Sequence, residues 1–486
     1  LSDIYAILKE EGFEATIGLE VHVQLNTKTK IFSSEANGVA LEANAHIGPV
    51  SLGLPGSLPV LNEQAVNKAI QFGLAAGSKI NEKIFFDRKS YFYPDLPKGY
   101  QTTQDSAPIC IGGAIEAYLL DSASEMVQLH HTHLEEDAGK SSHDQANVTS
   151  IDLNRAGSPL IEIVTEPCIK TGHTAAAFLQ EIRRIVRFLS ISEANMEKGE
   201  LRCDANISIK KIEDEQLGKR VEIKNMNSFN HVRRAIDFEL ERQLNQLKLG
   251  KEVVVETRTF DPENGQTLGM RFKETLNDYR YFPCPDLPPT YITSKMVEEV
   301  EKEMGNIPLH YRNIFRSQYG VKELDVAFLS EDKETADFAI TLIEYVGDAK
   351  KAANWIKGPI KAYCNEHNCR FFELPRSAEA IAQLIRLELE GQVTMASAQH
   401  IFLEMMISNH DALVIAKTGG WLISKDQDEL ERIVSEVLLS LPQEVEKYRM
   451  GKKQLFGLFM GEIMKRGGKT LNPKQIQEAL RKELSK

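Results

Sequence analysis

Residues 17–25, IGLEVHVQL, alternate without a break. Ile17, Leu19, Val21, Val23 and Leu25 fall on one side of an extended chain, and Gly18, Glu20, His22 and Gln24 on the other. A helix would scatter these positions around its circumference, so the run predicts a β-strand with one face to bury and one to expose. Residues two apart on a strand are neighbours on one face, which sets a carboxylate beside an imidazole.

The two-residue period returns four times. In LRCDANISIK (201–210), Arg202, Asp204, Asn206 and Ser208 share a face; in RVEIKN (220–225), Glu222 and Lys224 do. PLIEIVTEP (159–167) sets Glu162 and Glu166 against Ile161 and Ile163, and HHTHLEEDAGK (130–140) sets His131, His133 and Glu135 together, with Glu136 near a turn. An antiparallel sheet with one buried and one solvated face produces this pattern. Any half-exposed sheet alternates; the kind of polar residue sets these strands apart. Glu20, His22, Glu135, Glu136, Asp204 and Glu222 are candidates to converge. Two carboxylates about 4 Å apart repel by roughly 4 kcal/mol at an effective dielectric of ~20, so a cluster calls for a proton or a cation. Carboxylate oxygens suit Mg²⁺, and an imidazole can complete its shell.

Two Pro-fixed loops mix basic and aromatic residues. FFDRKSYFYPDLPKGYQ (85–101) carries Arg88, Lys89 and Lys98 among tyrosines, and NDYRYFPCPDLPP (277–289) carries Arg280. Ion pairing and ring stacking there would suit a nucleotide; surface loops packed by their own tyrosines are the competing reading. Gly467-Gly468-Lys469-Thr470 resembles the end of a P-loop, but the glycine required five residues before Gly468 is Ile463, so that motif is rejected. No GxGxxG follows a strand, no GxSxG elbow is present, and Cys203 falls on an apolar face, so no acyl-enzyme nucleophile is expected.

At 486 residues the chain exceeds one typical core. Residues 1–295 read as an α+β unit, a mainly antiparallel β-sheet cradle with helical insertions at 62–77, 173–190 and 228–249, the last capped by Ser228 and stopped by Gly250. Beyond the Pro-rich YFPCPDLPPTY the pattern turns helical, giving an all-α domain over 296–410 and a small all-α tail of three helices over 411–486. The net charge of −12 conceals an asymmetry: residues 448–486 hold ten basic and three acidic side chains. Such a tail can contact a polyanion through its phosphates, or simply be a solvated helical surface. The acidic opening LSDIYAILKEEGFEA has no basic flank or apolar core, and no apolar run reaches ~20 residues, so a cytoplasmic chain away from membranes is expected. The six scattered cysteines fit reduced thiols, with Cys364 and Cys369 a poor zinc pair.

Taken in order, IGLEVHVQL, LGLPGSLPVLN, FDRKSYFYPDLPKGYQ, HLEEDAGK, NRAGSPLIEIVTEP, LRCDANIS, EIKNMNSF and DYRYFPCPDLPP closely resemble the B subunit of the tRNA-dependent amidotransferase, the GatB family. KKQLFGLFMGEIMKRGGKTLNP resembles that family's tail. The resemblance implies a heterotrimer with a glutamine-hydrolysing A subunit and a small C subunit. It implies ATP-dependent conversion of Glu-tRNA(Gln), Asp-tRNA(Asn) or both into the amidated forms, through phosphorylation of the side-chain carboxylate and displacement by ammonia. By motif position it implies Mg²⁺ held by His22, Glu135, Glu20 and Glu222. Glu20, His22, Glu135 and Glu136 are then the catalytic set, with Glu136 an outer acid or a base toward ammonium. Arg88, Lys89, Lys224 and Arg280 are the phosphate contacts, and the basic tail binds tRNA. One departure is clear. Many members carry zinc-binding cysteines around the loop before LGLPG, whereas this chain has Ser33, Glu35, Gly48 and Ser51 there, so no structural zinc is expected. The loop should hold its shape by packing, with His46 a bystander. A stand-alone ATP-dependent carboxylate–amine ligase and a catalytically inactive tRNA-binding scaffold are the alternatives.

Overall fold

The strand expected first lies inside a ten-stranded sheet. In this computed structural model, which describes residues 3–119, 124–145, 148–270, 279–423, 427–467 and 473–484, seven strands frame the polar face. They are β1 (Phe13–Gln24), β2 (Ser124–Glu136), β3 (Pro159–Thr165), β4 (Leu201–Lys211), β5 (Val221–Lys224), β6 (Glu256–Asp261) and β7 (Gln266–Gly269). Their spatial order is β7-β6-β5-β4-β1-β3-β2, continued by Cys110–Ile111 and Lys79–Ile80, with Ala114–Tyr118 also on β2. Among these strands only the β5–β6 pair is parallel.

Burial follows the alternation. Ile17, Val21, Val23 and Leu25 are fully buried and Leu19 is 1% exposed. Burying such a side chain contributes about 1.5–3 kcal/mol, so a one-residue slip, which would bury Glu20 and His22 instead, is strongly disfavoured. Helices α1 (Glu63–Ala75), α2 (Gly172–Phe188) and α3 (Phe229–Lys248) share this core. Ser228 caps α3, its hydroxyl accepting from the His231 amide at 3.1 Å, and Gly250 follows the helix at φ +70°. The strand read over 159–167 stops at Thr165. Glu166 lies beyond it, its amide donating to the Gln128 carbonyl at 2.9 Å, and does not join Glu162 on the strand face.

The chain divides into two compact units, residues 1–310 and 311–486. Helix α4 (Ser294–Glu303) packs against α1 in the first, and Val300 belongs to the sheet's core. The second unit is helical in its described residues. DAKKAANWIKGPIKAYC forms Ala349–Trp355, a π-helical turn Ile356–Ile360 and Lys361–His367. Pro359 lacks the amide that an unbroken α-helix needs, and the wider turn accommodates the lost bond. Helix Ala412–Thr418 packs on Ala378–Leu389 and Met395–Ile407. The tail has its own core of Leu430, Val434, Val437, Phe459, Ile463 and Leu480 among others. It is built from Gln427–Ser440, Phe456–Gly467 and Pro473–Leu484, and the described residues of 411–486 add two α-helices to the three expected, Pro442–Arg449 and Ala412–Thr418. Gly468–Thr470, Lys486 and the side chain of Lys474 lie outside the described residues.

The loop before LGLPG is held by a buried polar knot, not by packing alone. The Lys30 ammonium, fully buried, lies 3.3 Å from Glu35 and donates to the Ser51 hydroxyl at 3.1 Å and the His46 carbonyl at 2.6 Å. The Ser51 hydroxyl donates in turn to Glu35. His46 enters the knot through its backbone alone, its amide also donating to the Asn154 side chain at 2.7 Å while its Nδ1 has no hydrogen-bond partner among the described residues.

Candidate active site

Cross-strand register assembles the site. On β1, His22 stands opposite Arg202 of β4 and Glu162 of β3, and Glu20 stands opposite Asp204. Glu162 in turn faces His133 of β2. The His22 Nε2 lies 3.2 Å from Glu162 and 3.4 Å from Glu135, while the His133 Nε2 lies 3.3 Å and 3.8 Å from the same two carboxylates. Burial works against charge on both rings, but the carboxylates outweigh it. Glu162 and Glu135 raise the His22 pKa, and bonds to Glu135 and Glu162 push His133 up to about 10. Burial raises and the two rings lower the Glu162 carboxyl, with the rings prevailing, so it sits well below the usual carboxylate range. His131 stacks on His133 with centroids 5.2 Å apart; burial, then His133, drops it to about 4.

Beside this group lies a second. Glu20, Asp204 and Glu222 each bring one carboxylate oxygen within 4.8 Å of the others, as do the ligand atoms of His22, Glu135 and Glu162. The Asn206 amide donates to Glu20 at 2.9 Å and the Thr257 hydroxyl to Glu222 at 2.9 Å. The Lys224 ammonium sits 2.7 Å from Asp204 and 2.9 Å from Glu222. Burial, then repulsion from Glu162, raises the Glu20 pKa. The four residues expected around one ion are thus shared between two groups. Each group is completed by a residue absent from the expected set, Glu162 in one and Asp204 in the other. Alternation had put both on the polar face; register, which the sequence does not state, put them at the centre. The second group offers only oxygen and the first adds an imidazole nitrogen, a combination that fits a hard divalent cation.

The remaining candidates disperse. Glu136, next to Glu135 on the same strand, joins neither group: it pairs with Lys98 and accepts from the Thr102 amide at 2.8 Å. The Arg88 guanidinium pairs with Asp286 and lies 4.1 Å from the Tyr100 ring. Lys89 lies 4.8 Å from the Tyr279 ring, and its charge feels Glu135 and Glu162, so it borders the first group. Arg280 is exposed, at φ +45°. Tyr93, Tyr91, Tyr279 and Tyr281 form a chain of edge-on rings with centroids 5.9–6.1 Å apart. Three residues outside the expected site set, Asp137, Arg155 and Arg202, form an ion-paired cluster; of these, alternation places only Arg202 on a polar face.

A family model for the GatB/GatE catalytic domain matches residues 15–298, more than half of the chain and all of the sheet but the first two residues of β1. The chain belongs to the GatB family. A second model, the GatB domain, matches residues 337–484. A Halorhodospira halophila protein, named as the B subunit of aspartyl/glutamyl-tRNA(Asn/Gln) amidotransferase, is 42% identical over 97% of this chain and 99% of its own length. Proteins of the same name from Thioalkalivibrio sulfidiphilus and Bdellovibrio bacteriovorus are each 41% identical, over 97% and 98% of this chain and 99% and 100% of their own lengths. This GatB chain therefore spans its relatives essentially end to end. Among its described residues no helix is long and apolar enough to cross a membrane.

Proposed function

We propose that this GatB chain carries out the ATP-dependent amidation of Glu-tRNA(Gln), Asp-tRNA(Asn) or both. The observation that carries the reading is the pair of acidic groups on one face of the sheet, in a chain that matches GatB proteins over nearly its whole length. A carboxylate has a poor leaving group, so its oxygen first attacks the γ-phosphorus of ATP, releasing ADP and forming an acyl phosphate. Ammonia then attacks the carbonyl carbon, phosphate leaves, and the excess proton goes to a base.

Glu20, Asp204 and Glu222, with His22, Glu135 and Glu162 beside them, are the residues that would hold Mg²⁺. When bound, that ion would offset the negative charge of the polyphosphate. The chain's own groups do the rest. The His22 ring, fixed between Glu162 and Glu135, keeps those two carboxylates together, and Lys89 borders them as a cation. The tyrosine chain at the loop edge offers ring faces to a nucleobase. Cys203 is buried, and burial pushes its thiol up, which suits glutamine hydrolysis by a partner A subunit and not by this chain. The working enzyme is a cytoplasmic heterotrimer with A and C subunits, and the basic tail holds tRNA.

Co-expression with the A and C subunits, followed by addition of Glu-tRNA(Gln), ATP, Mg²⁺ and glutamine, should yield Gln-tRNA(Gln). ATP consumption without tRNA or partners would favour the stand-alone ligase, and tRNA binding with no ATP consumption the scaffold.

A further inference from the structure

The two acidic groups bring five carboxylates to one face, a surface that repels a triphosphate. Beside the Mg²⁺ these carboxylates would hold, a nucleotide there needs fixed cations to orient its phosphates, and several of those nearby are committed. Arg88 pairs with Asp286, and Lys224 lies between Asp204 and Glu222.

One cluster differs in its charge balance. Asp137, the residue following β2, is buried, and its Oδ2 lies 2.9 Å from the Arg202 Nη2 and 3.3 Å from the Arg155 Nε. Its Oδ1 accepts from the Ala138 amide at 2.9 Å. Two guanidiniums thus share one carboxylate, leaving a net positive charge beside an acidic bed. Arg155 is locked by donation to the Ala138 and Gly139 carbonyls at 3.0 and 2.6 Å. Arg202 is the register partner of His22, and its charge acts on both Glu135 and Asp204, so it borders both groups. Its Nε is buried without a hydrogen-bond partner, and both arginine side chains remain more than a third exposed. Planar forks held this way suit phosphate oxygens better than a flexible ammonium does.

We propose that Arg202 and Arg155, yoked by Asp137, form the subsite that receives the polyphosphate of the nucleotide. This rests on the amidation reading and replaces Arg88 and Lys224 as its phosphate contacts. A phosphate at the 3′ end of tRNA has the same chemistry, and the test separates the two sources.

In the assembled enzyme, KM for ATP and for Glu-tRNA(Gln), and inhibition by inorganic tripolyphosphate, are measured for Arg202→Met, Arg202→Lys and Arg155→Met. Arg202→Met should raise KM for ATP and the inhibition constant of tripolyphosphate roughly tenfold or more, with Arg202→Lys between it and the wild type. KM for Glu-tRNA(Gln) should stay within about twofold, and the partner's glutaminase activity reports intact assembly. The proposal is overturned if KM for ATP is unchanged in Arg202→Lys and Arg155→Met, or if only KM for Glu-tRNA(Gln) rises. A wild-type complex that amidates neither Glu-tRNA(Gln) nor Asp-tRNA(Asn) would instead sink the underlying function, and direct tripolyphosphate binding to the wild type and Arg202→Lys would still decide the subsite.

Discussion

The His22 imidazole and the Glu162 carboxylate come from adjacent strands, stand opposite each other in register and lie 3.2 Å apart. Glu162 also touches His133, so one carboxylate ties together two rings that both favour the charged form. Removing it leaves two like-charged rings with only Glu135 still shared between them.

Glu162→Gln should therefore lower ATP-dependent formation of Gln-tRNA(Gln) by about a hundredfold or more, as losses of preorganised charge at reacting centres do. Glutamine hydrolysis by the A subunit should persist. Full amidation by this variant would take Glu162 out of the site. Glu135→Gln should abolish amidation in the same assay.

Lys224 occupies the place in the second group where a divalent cation would otherwise balance charge. Lys224→Met should cost the cation-free chain about 1 kcal/mol, its partners being partly solvated. It should also steepen the rise of Tm with added Mg²⁺. Thermal unfolding with and without Mg²⁺ measures both, and parallel Tm curves for variant and wild type would contradict a cation at Glu20, Asp204 and Glu222.

The knot around Lys30 should behave as a buried ion pair. Glu35→Leu alone leaves a buried ammonium unpaired and should cost about 3–5 kcal/mol, whereas Lys30→Met with Glu35→Leu should recover most of it. Urea denaturation of the two variants tests this, and equal losses in both would show that the pair is not what holds the loop.

A tail truncation is best made after residue 426, because Ala412–Thr418 packs on the helices before it. Removing residues 427–486 takes away Arg449, Lys452, Lys453, Lys465, Arg466, Arg481 and Lys482. KM for aminoacyl-tRNA should rise at least tenfold and its salt dependence flatten, while KM for ATP stays nearly constant. Equal increases for both substrates would argue against a tRNA-binding tail.

Much of the frame is written in local pattern. The period-two runs name the strands and their buried faces because one apolar face must leave water, and Ser228 and Gly250 mark a helix because caps and stops are local chemistry. Local pattern also misleads: the run 159–167 does not show that the strand ends before Glu166.

By itself, then, the sequence determined that Glu20, His22, Glu135, Glu162, Asp204 and Glu222 lie on polar faces of antiparallel strands, because side-chain direction alternates along an extended chain. Which of them meet is a matter of strand order and register, set partly by pairings of β1 with β3 and β4, more than a hundred residues away, and partly by the nearer pairings of β2 with β3 and β4 with β5. Tertiary structure alone separated the acids into two groups, turned Glu136 to Lys98, committed Arg88 to Asp286, and brought Asp137 between Arg155 and Arg202.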